Sequence, residues 1–382
     1  MISSIDVDKC TGCSICVDVC PLDTLRLDPF RKACPPCQQR CPAGVDVRAF
    51  LFYVKQGQIA EASTHLRRFL PFPAITGLLC HRPCEMACAR KSVDQAVNIH
   101  GIEYCIGTSP LPKAARLRPL VHAGKAAVIG SGPAGLSTAY FLRKEGYAVT
   151  VFESDGRIGG SLLKEVSEGR LPAALLDAQV SDLMEMGIAF VKGSELSSRV
   201  QIEELRDQRY CAIFLATGSG GGVPNGIARD EMNKVPVDPV TLETNIQGVF
   251  AGGGLVVGRS SLVEIIASCR RAADSMDRFL RKTDLKAGRD PVVKKVKNLP
   301  REGIKPTRRL DPQDGFAEET AAEEAQRCMS CGGLAYIAHP EDCMTCFECE
   351  VKCPSKAVRV SPFKEVLPMT LAIEQGWGSW EN

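Results

Sequence analysis

The run Cys10-Thr-Gly-Cys13-Ser-Ile-Cys16-Val-Asp-Val-Cys20-Pro21 returns near the opposite end of the 382-residue chain as Cys343-Met-Thr-Cys346-Phe-Glu-Cys349-Glu-Val-Lys-Cys353-Pro354. Three cysteines at x2 spacing, followed by x3 and a Cys-Pro, form a [4Fe–4S] ligand run whose fourth cysteine serves the other cluster of a pair. Neither run completes its clusters alone. The chain is therefore expected to fold back so that its ends meet. Cys10, Cys13, Cys16 and Cys353 would hold one cluster, and Cys20, Cys343, Cys346 and Cys349 the other. Zinc is the rival reading, because tetrahedral sites also use Cys-x2-Cys pairs. Zinc needs neither three cysteines at consecutive x2 spacing nor the Cys-Pro, and here the pattern occurs twice.

Composition narrows the setting. The chain has 19 cysteines. An odd number, with no basic segment and apolar core at the N-terminus, argues against a disulfide scaffold and for reduced, metal-binding thiols in the cytoplasm. The net charge of +2 leaves no electrostatic footprint for nucleic acid. The longest apolar stretches, such as residues 212–216, are far too short to span a bilayer. The length suits two to four small domains.

Each cysteine run sits between short strand patterns, at 2–7 and 24–27 and again at 334–339 and 357–360. These segments resemble the halves of a two-cluster bacterial ferredoxin, so residues 1–30 and 333–365 read as one ferredoxin-like domain made from both termini. Residues 31–115 carry further cysteines and helical patterns at 47–55 and 59–69. Residues 116–280 read as an α/β nucleotide-binding domain. Residues 281–319 are charged and rich in Pro and Gly, as expected of a linker wrapped over the surface. Its Lys294-Lys295-Val-Lys297 cluster reads as a solvated face. Residues 366–382 form a tail with both tryptophans.

The nucleotide signature has its parts in the required order. A buried-strand run at 126–129 leads into Gly130-Ser-Gly132-Pro133-Ala134-Gly135, and a helix is expected over 136–144. A second strand at 148–152 ends in Glu153. Gly130 permits the tight turn, Gly132 lets the backbone approach a pyrophosphate, and Gly135 allows close helix–strand packing. Glu153 is placed to take a ribose hydroxyl. The fingerprint alone does not separate FAD from NAD.

Three later segments do so through resemblance. Arg157-Ile-Gly159-Gly160, Phe214-Leu-Ala-Thr217-Gly218 and Gly248-Val-Phe-Ala-Gly252-Gly253 match, in order, the FAD motifs of two-dinucleotide-binding flavoproteins. Within that group the chain resembles the small subunit of glutamate synthase and the N-terminal part of dihydropyrimidine dehydrogenase. The likeness covers about residues 31–280 and 320–332. It includes Cys37-x3-Cys41-Pro42, Pro71-Phe-Pro73-Ala-Ile-Thr-Gly, Cys80-x3-Cys84-x3-Cys88 and Val97-Asn98-Ile99. It implies FAD at Gly130, Gly132, Pro133, Ala134, Gly135, Glu153, Arg157, Gly160, Thr217, Gly218, Gly253 and Gly254. It also implies two [4Fe–4S] clusters in a helical domain beside the flavin.

Two departures from that family stand out. Its nicotinamide domain normally lies between the Ala-Thr-Gly motif and the last FAD motif, where residues 219–247 leave no room for a βαβαβ half. Gly254 replaces the usual aspartate, which removes a charge-assisted hydrogen bond of about 1.5–3 kcal/mol. The family's Arg-Cys-x2-Cys opening is also relocated, to Arg327-Cys328-Met-Ser-Cys331. Carried over by resemblance, one cluster takes Cys37, Cys88, Cys328 and Cys331. The other takes Cys41, Cys80 and Cys84 with Glu103, and Cys105 is the runner-up for that fourth place. Cys34 competes for the first of these clusters. Cys211, at a buried strand entrance, and Cys269, in a helix, read as core residues. No nucleophilic constellation or general acid–base pair is apparent.

The expected fold class is multidomain α/β plus α+β, with a Rossmann-like FAD domain, a helical double-cluster domain and a ferredoxin-like domain split between the termini. The expected function is an electron-transfer subunit of a larger, anaerobic, cytoplasmic redox complex. It would carry FAD and four [4Fe–4S] clusters and have no membrane span. The resemblance implies partners such as a hydrogenase, a formate dehydrogenase or another reductase, and ferredoxin. The alternatives are a self-sufficient ferredoxin–NAD(P) oxidoreductase or glutamate synthase small subunit, and an assembly subunit with a vestigial flavin site.

Overall fold

The computed structural model describes residues 1–6, 9–10, 15–22, 24–28, 34–109, 120, 122, 124–193, 202–219, 221–258, 260–289, 304–312, 315–331, 334–353 and 356–361. Cys13, the Lys294 cluster and the tryptophan tail lie outside these residues. The chain forms two compact units. One comprises 1–33, 296–302 and 330–382, and the other 34–295 and 303–329.

The terminal unit is built from both ends of the chain. Strand β1 (Ile2–Ile5) pairs antiparallel with β9 (Val358–Val360), setting Ile2 opposite Val360 and Ile5 opposite Val358. Strand β2 (Leu25–Asp28) pairs antiparallel with β8 (Leu334–Ile337), with Leu25 opposite Ile337. Each pair thus takes one strand from each end. The strands are three or four residues long, and the core between them holds Ile2, Leu25, Val358 and Val360 together with Cys16, Cys349 and Cys353. Among the described residues no helix is long and apolar enough to cross a membrane.

The larger unit joins a helical region to a parallel sheet. The sheet order is β5 (Ala189–Val191), β4 (Ala148–Phe152), β3 (Lys125–Ile129), β6 (Tyr210–Leu215) and β7 (Val249–Ala251), all parallel. Ala126, Ala127, Val128 and Ile129 are fully buried, as expected of a central strand covered on both faces. The helix after β3 runs Pro133–Lys144, starting three residues before the expected 136. Gly132 caps it in extended conformation and Pro133 takes the first helical position, which its fixed φ suits. The helix Leu262–Leu280, opened by a Ser261–Glu264 capping box, packs on that helix.

Between β6 and β7 the described residues contain neither helix nor strand, apart from an isolated bridge between Glu243 and Phe250. Among the described residues this crossover contains no second nucleotide-binding half. Cys211 is exposed, contrary to the expected core position. It is the second residue of β6, where the register with β3 breaks between Lys125 and Ala126, and the strand is buried only from Ala212 onward.

In the helical region Val47–Lys55 forms as expected, and Ile59–Leu66 stops three residues short of 69. Phe50, Leu51, Leu66 and Ile75 are buried in one core that continues into Val128, Phe214 and Phe250 of the sheet. Each such side chain contributes about 1.5–3 kcal/mol of burial. Tyr140 of the sheet's first helix donates its hydroxyl to the Arg67 carbonyl at 2.9 Å, which ties the two parts together.

Candidate functional site

In the terminal unit Cys20, Cys343, Cys346 and Cys349 line one small pocket together with Ile2, Thr24 and Val360. Three of these thiols come from the C-terminal run and one from the N-terminal run. Burial pushes the Cys349 thiol up to about 11, and the neighbouring Cys20, Cys343 and Cys346 push in the same direction. Four thiols lining one pocket are a donor set that could hold an iron–sulfur cluster. The Ile2 amide donates to Cys343 Sγ at 3.3 Å. Thr345 and Phe347, within the same loop, adopt left-handed φ of 60° and 62°. Such conformations persist where surrounding structure imposes them, and they turn this short loop around the pocket.

Cys10, Cys16 and Cys353 enter the same small core. The Ala335 amide donates to Cys10 Sγ at 3.3 Å, and the Ala357 amide to Cys353 Sγ at 3.2 Å. Amide donors to sulfur stabilise thiolate charge and tune an iron–sulfur centre. Cys13 lies outside the described residues. No three Cys, His, Asp or Glu side chains among the described residues close on a single metal ion. The donor set is all thiol and spread around a pocket, which suits a multi-atom cluster better than one tetrahedral zinc.

The second thiol group is assembled by two helices crossing at backbone contact. A Cβ on Gly107 would lie 2.1 Å from the Ala74 nitrogen, and one on Gly77 would lie 2.7 Å from the Tyr104 nitrogen. Only glycine permits this approach of Pro73–Leu79 to Ile99–Thr108. The crossing brings Thr76 to Glu103, whose carboxylate accepts the Thr76 hydroxyl. Burial pushes the Glu103 carboxyl up to about 8.

Glu103 is an electrostatic neighbour of Cys41, Cys80 and Cys84, and burial is the leading cause that raises all three thiols. The Cys80 thiol reaches about 11. A buried carboxyl near three buried thiols is a set of side chains that could serve as cluster donors. Cys105, the other candidate, faces Glu318 and Glu319 instead.

The third group is partly assembled. Burial raises the Cys88 thiol, and Cys328 is among its neighbours. Cys37 stands on the helix Pro36–Arg40, beside the same core as Cys88 and Cys328. Lys55 Nζ holds the Cys328 carbonyl at 2.9 Å. Cys331 belongs to the terminal unit. Cys34 Sγ lies 3.9 Å from its neighbour's Pro35 carbonyl oxygen.

The nucleotide crevice lies at the carboxyl ends of β3 and β6, where the strand order switches direction. Gly130 has φ +103°, and a Cβ there would meet the Ala216 carbonyl oxygen at 2.5 Å. A Cβ on Gly135 would stand 1.8 Å from the Gly130 oxygen, and one on Gly160 2.7 Å from Gly132 Cα. Gly132 itself has nothing within less than 4.0 Å of such a Cβ, which leaves open space before the helix N-terminus. Pro133 and Ala134 form its first turn. This is a cradle for a phosphate group.

Both Glu153 oxygens are engaged. One accepts the Ser131 amide at 2.8 Å and the Ser131 hydroxyl, and the other the Asp155 amide at 3.0 Å and the Ser154 hydroxyl at 3.1 Å. Burial pushes this carboxyl up, yet these donors outweigh it and hold it below the usual range. Ser131 in turn accepts the Gly159 amide at 3.0 Å, fastening the first glycine loop to the second.

Thr217 Oγ1 is buried without a hydrogen-bond partner, and Gly218 beside it has open space where a Cβ would be. Arg157 is exposed and pairs with Asp177 at 3.3 Å. Gly253 has φ +66°, and a Cβ on Gly254 would sit 3.1 Å from the Ser219 nitrogen. The Ser219 backbone therefore crowds the place from which an aspartate would reach. The cradle and the orphaned Thr217 hydroxyl fit a dinucleotide cofactor.

Residues 31–111 match the family description "dihydropyrimidine dehydrogenase domain II, 4Fe-4S cluster". Residues 128–178 match "NAD(P)-binding Rossmann-like domain", and 4–26 match "4Fe-4S binding domain". Its homologues are subunits of oxidoreductases. The NADPH-Fe(3+) oxidoreductase subunit beta of Geobacter sulfurreducens is 32% identical over 211 residues, covering 52% of this chain and 30% of that protein. The NADP(+)-dependent formate dehydrogenase subunit beta of Moorella thermoacetica is 31% identical over 238 residues, covering 55% and 33%. The glutamate synthase [NADPH] small chain of Bacillus subtilis is 34% identical over 169 residues, covering 44% and 34%. The chain thus spans about a third of the length of these relatives.

The resemblance read from the motifs and the fold class are borne out. Sequence reasoning missed Ser131, Thr76 and the charged residues around Cys88 and Cys328. Their roles arise from side chains far apart in sequence, and no spacing announces them.

Proposed function

We propose that the chain is an electron-transfer subunit of a larger redox complex, holding FAD and four [4Fe–4S] clusters. The observation that carries this reading is the pocket at Cys20, Cys343, Cys346 and Cys349, a thiol set contributed by both ends of a chain that also contains a nucleotide fold. Bound flavin exchanges one or two electrons, and so links two-electron chemistry to one-electron clusters.

The chain's own residues supply the scaffold for that relay. Gly130 to Gly135 receive the pyrophosphate at a helix N-terminus, and Glu153 takes the ribose once a hydroxyl replaces one of its present donors. Thr217, through its buried hydroxyl, and Gly218, through the open space beside it, would help to hold the bound flavin. The amides at Ile2, Ala335 and Ala357 bias the sulfurs toward the charged state. The assignment of Cys10, Cys13, Cys16 and Cys353 to one cluster completes the crossed pair.

The irregular crossover between β6 and β7 favours electron supply through clusters or a second subunit over direct hydride delivery. A hydrogenase, a formate dehydrogenase or another reductase is the class of partner that suits such a chain.

The test is anaerobic and spectroscopic. The purified chain is expected to bind FAD, to show little NAD(P)H-driven dye reduction, and to have its clusters reduced by dithionite. Rapid bleaching of its flavin by NADPH would overturn the subunit reading and favour a self-sufficient reductase. Co-purification identifies the partner.

A further inference from the structure

The peptide that carries Cys328 is seated by charged side chains. Arg327 is 4% exposed. Its guanidinium donates to Glu324 Oε1 at 2.7 Å, Asp94 Oδ1 at 2.8 Å, the Gln95 carbonyl at 2.7 Å and the Ala96 carbonyl at 3.3 Å. Arg90, two residues after Cys88, grips the same Asp94 at 2.8 and 2.6 Å. Arg90 also donates to the Arg327 carbonyl at 3.1 Å, the peptide group that leads into Cys328. Lys55 holds the next carbonyl, that of Cys328 itself, at 2.9 Å. Glu324, fully buried, accepts the Asn98 and Leu310 amides at 2.9 and 2.7 Å, so the strap before the helix is fixed as well.

Arg90 and Arg327 are 237 residues apart in sequence. Nothing local brings Cys328 to Cys88, and closing so long a loop carries an entropic cost. A flexible ammonium gives one point contact, whereas a guanidinium fork fixes direction as well as distance. Residues behind a metal ligand commonly set its orientation.

We propose that Arg327, anchored on Asp94 and clasped by Arg90, is a positioning residue that delivers Cys328 to the cluster site of Cys37 and Cys88. The proposal rests on the reading of Cys328 as a cluster ligand. It gives the relocated Arg-Cys pair a physical role: the arginine replaces the sequence proximity that the relocation removed. The site of Cys41, Cys80, Cys84 and Glu103 does not depend on this clamp.

Iron per chain and the cluster EPR signals are measured on full-length protein purified anaerobically, as wild type, C328S, R327M, the R327M/C328S double variant and D94N. C328S is expected to lose about four iron atoms, one cluster. R327M should lose the same four and the same signal while retaining flavin. The double variant should lose no more than C328S alone, because Arg327 acts through Cys328. D94N, the milder disruption, should show the same selective loss. Full iron in both R327M and D94N overturns the proposal, as does a further loss in the double variant. Wild-type iron in C328S overturns the ligand reading, and the proposal with it.

Discussion

The terminal unit and the helical region both gather cysteines, but they hold their shape by different means. The terminal unit has four strands of three or four residues and a core in which three of the buried positions are cysteines. Its halves come from opposite ends of the chain. So small a core supplies little stability, and units of this size commonly depend on metal. The helical region shares one continuous core with the parallel sheet, and its thiols pack against the edge of that large core, on short helices or at their ends. In the first region the thiols are part of what makes the fold. In the second the fold comes first and the thiols are presented by it.

Iron removal tests this contrast most severely. Oxidative chelation is expected to unfold the terminal unit and leave the sheet. Hydrogen exchange should show β1, β2, β8 and β9 losing protection while β3, β4 and β6 keep it. Protected β1 and β9 amides in iron-free protein would break the comparison.

A narrower loss follows from Cys20→Ser. It should cost about four iron atoms and the cluster signal of the Cys343 group. If each run closed on its own cluster, that signal would survive.

In the helical region the sensitive element is the glycine crossing. Gly107→Ala places a methyl 2.1 Å from the Ala74 nitrogen. The two helices must separate, at a cost of about 3 kcal/mol. Denaturant unfolding should show the loss, together with reduced iron at the Glu103 site and an intact terminal unit.

The larger unit also has a titration of its own. Burial, with Arg68 and Lys144 nearby, holds His65 down to about 4. The folded state therefore keeps this imidazole neutral while the unfolded chain protonates near 6.5. Stability present above pH 6.5 is lost as pH falls from 6.5 toward 4, by up to about 3 kcal/mol. His65→Phe should flatten that part of the profile. An unchanged pH dependence in the variant would assign the effect elsewhere.

The smallest effect is expected at Glu153. Glu153→Gln keeps the shape but weakens the bonds from Ser131, Ser154 and Asp155. Flavin affinity should fall about tenfold, which is about 1.4 kcal/mol. Fluorescence titration with FAD measures it, and an unchanged affinity would detach Glu153 from the ribose.

The meeting of the two ends was legible because a split pair of [4Fe–4S] ligand runs needs both ends of the chain in one domain. The glycine fingerprint was legible for a similar reason, since each glycine answers a contact within a few residues or a neighbouring strand. Glu103 was reached by resemblance, but its bond to Thr76 depends on two glycines that let helices touch. Cys211 was misjudged because burial near a strand's start depends on the register with the partner strand, which skips Cys211 and which hydropathy does not encode.

The sequence by itself determined the spacing of the cysteines, the order of strand, glycine loop and helix in the Rossmann-like domain, and the meeting of the two ends. Those properties follow from covalent spacing and from backbone conformations that few residues can adopt. Tertiary structure alone decided that β1 pairs with β9 and β2 with β8, that Thr76 meets Glu103, and that Arg327 and Arg90 share Asp94. These are contacts between residues remote in sequence, fixed by burial and close packing, and local patterns carry no record of them.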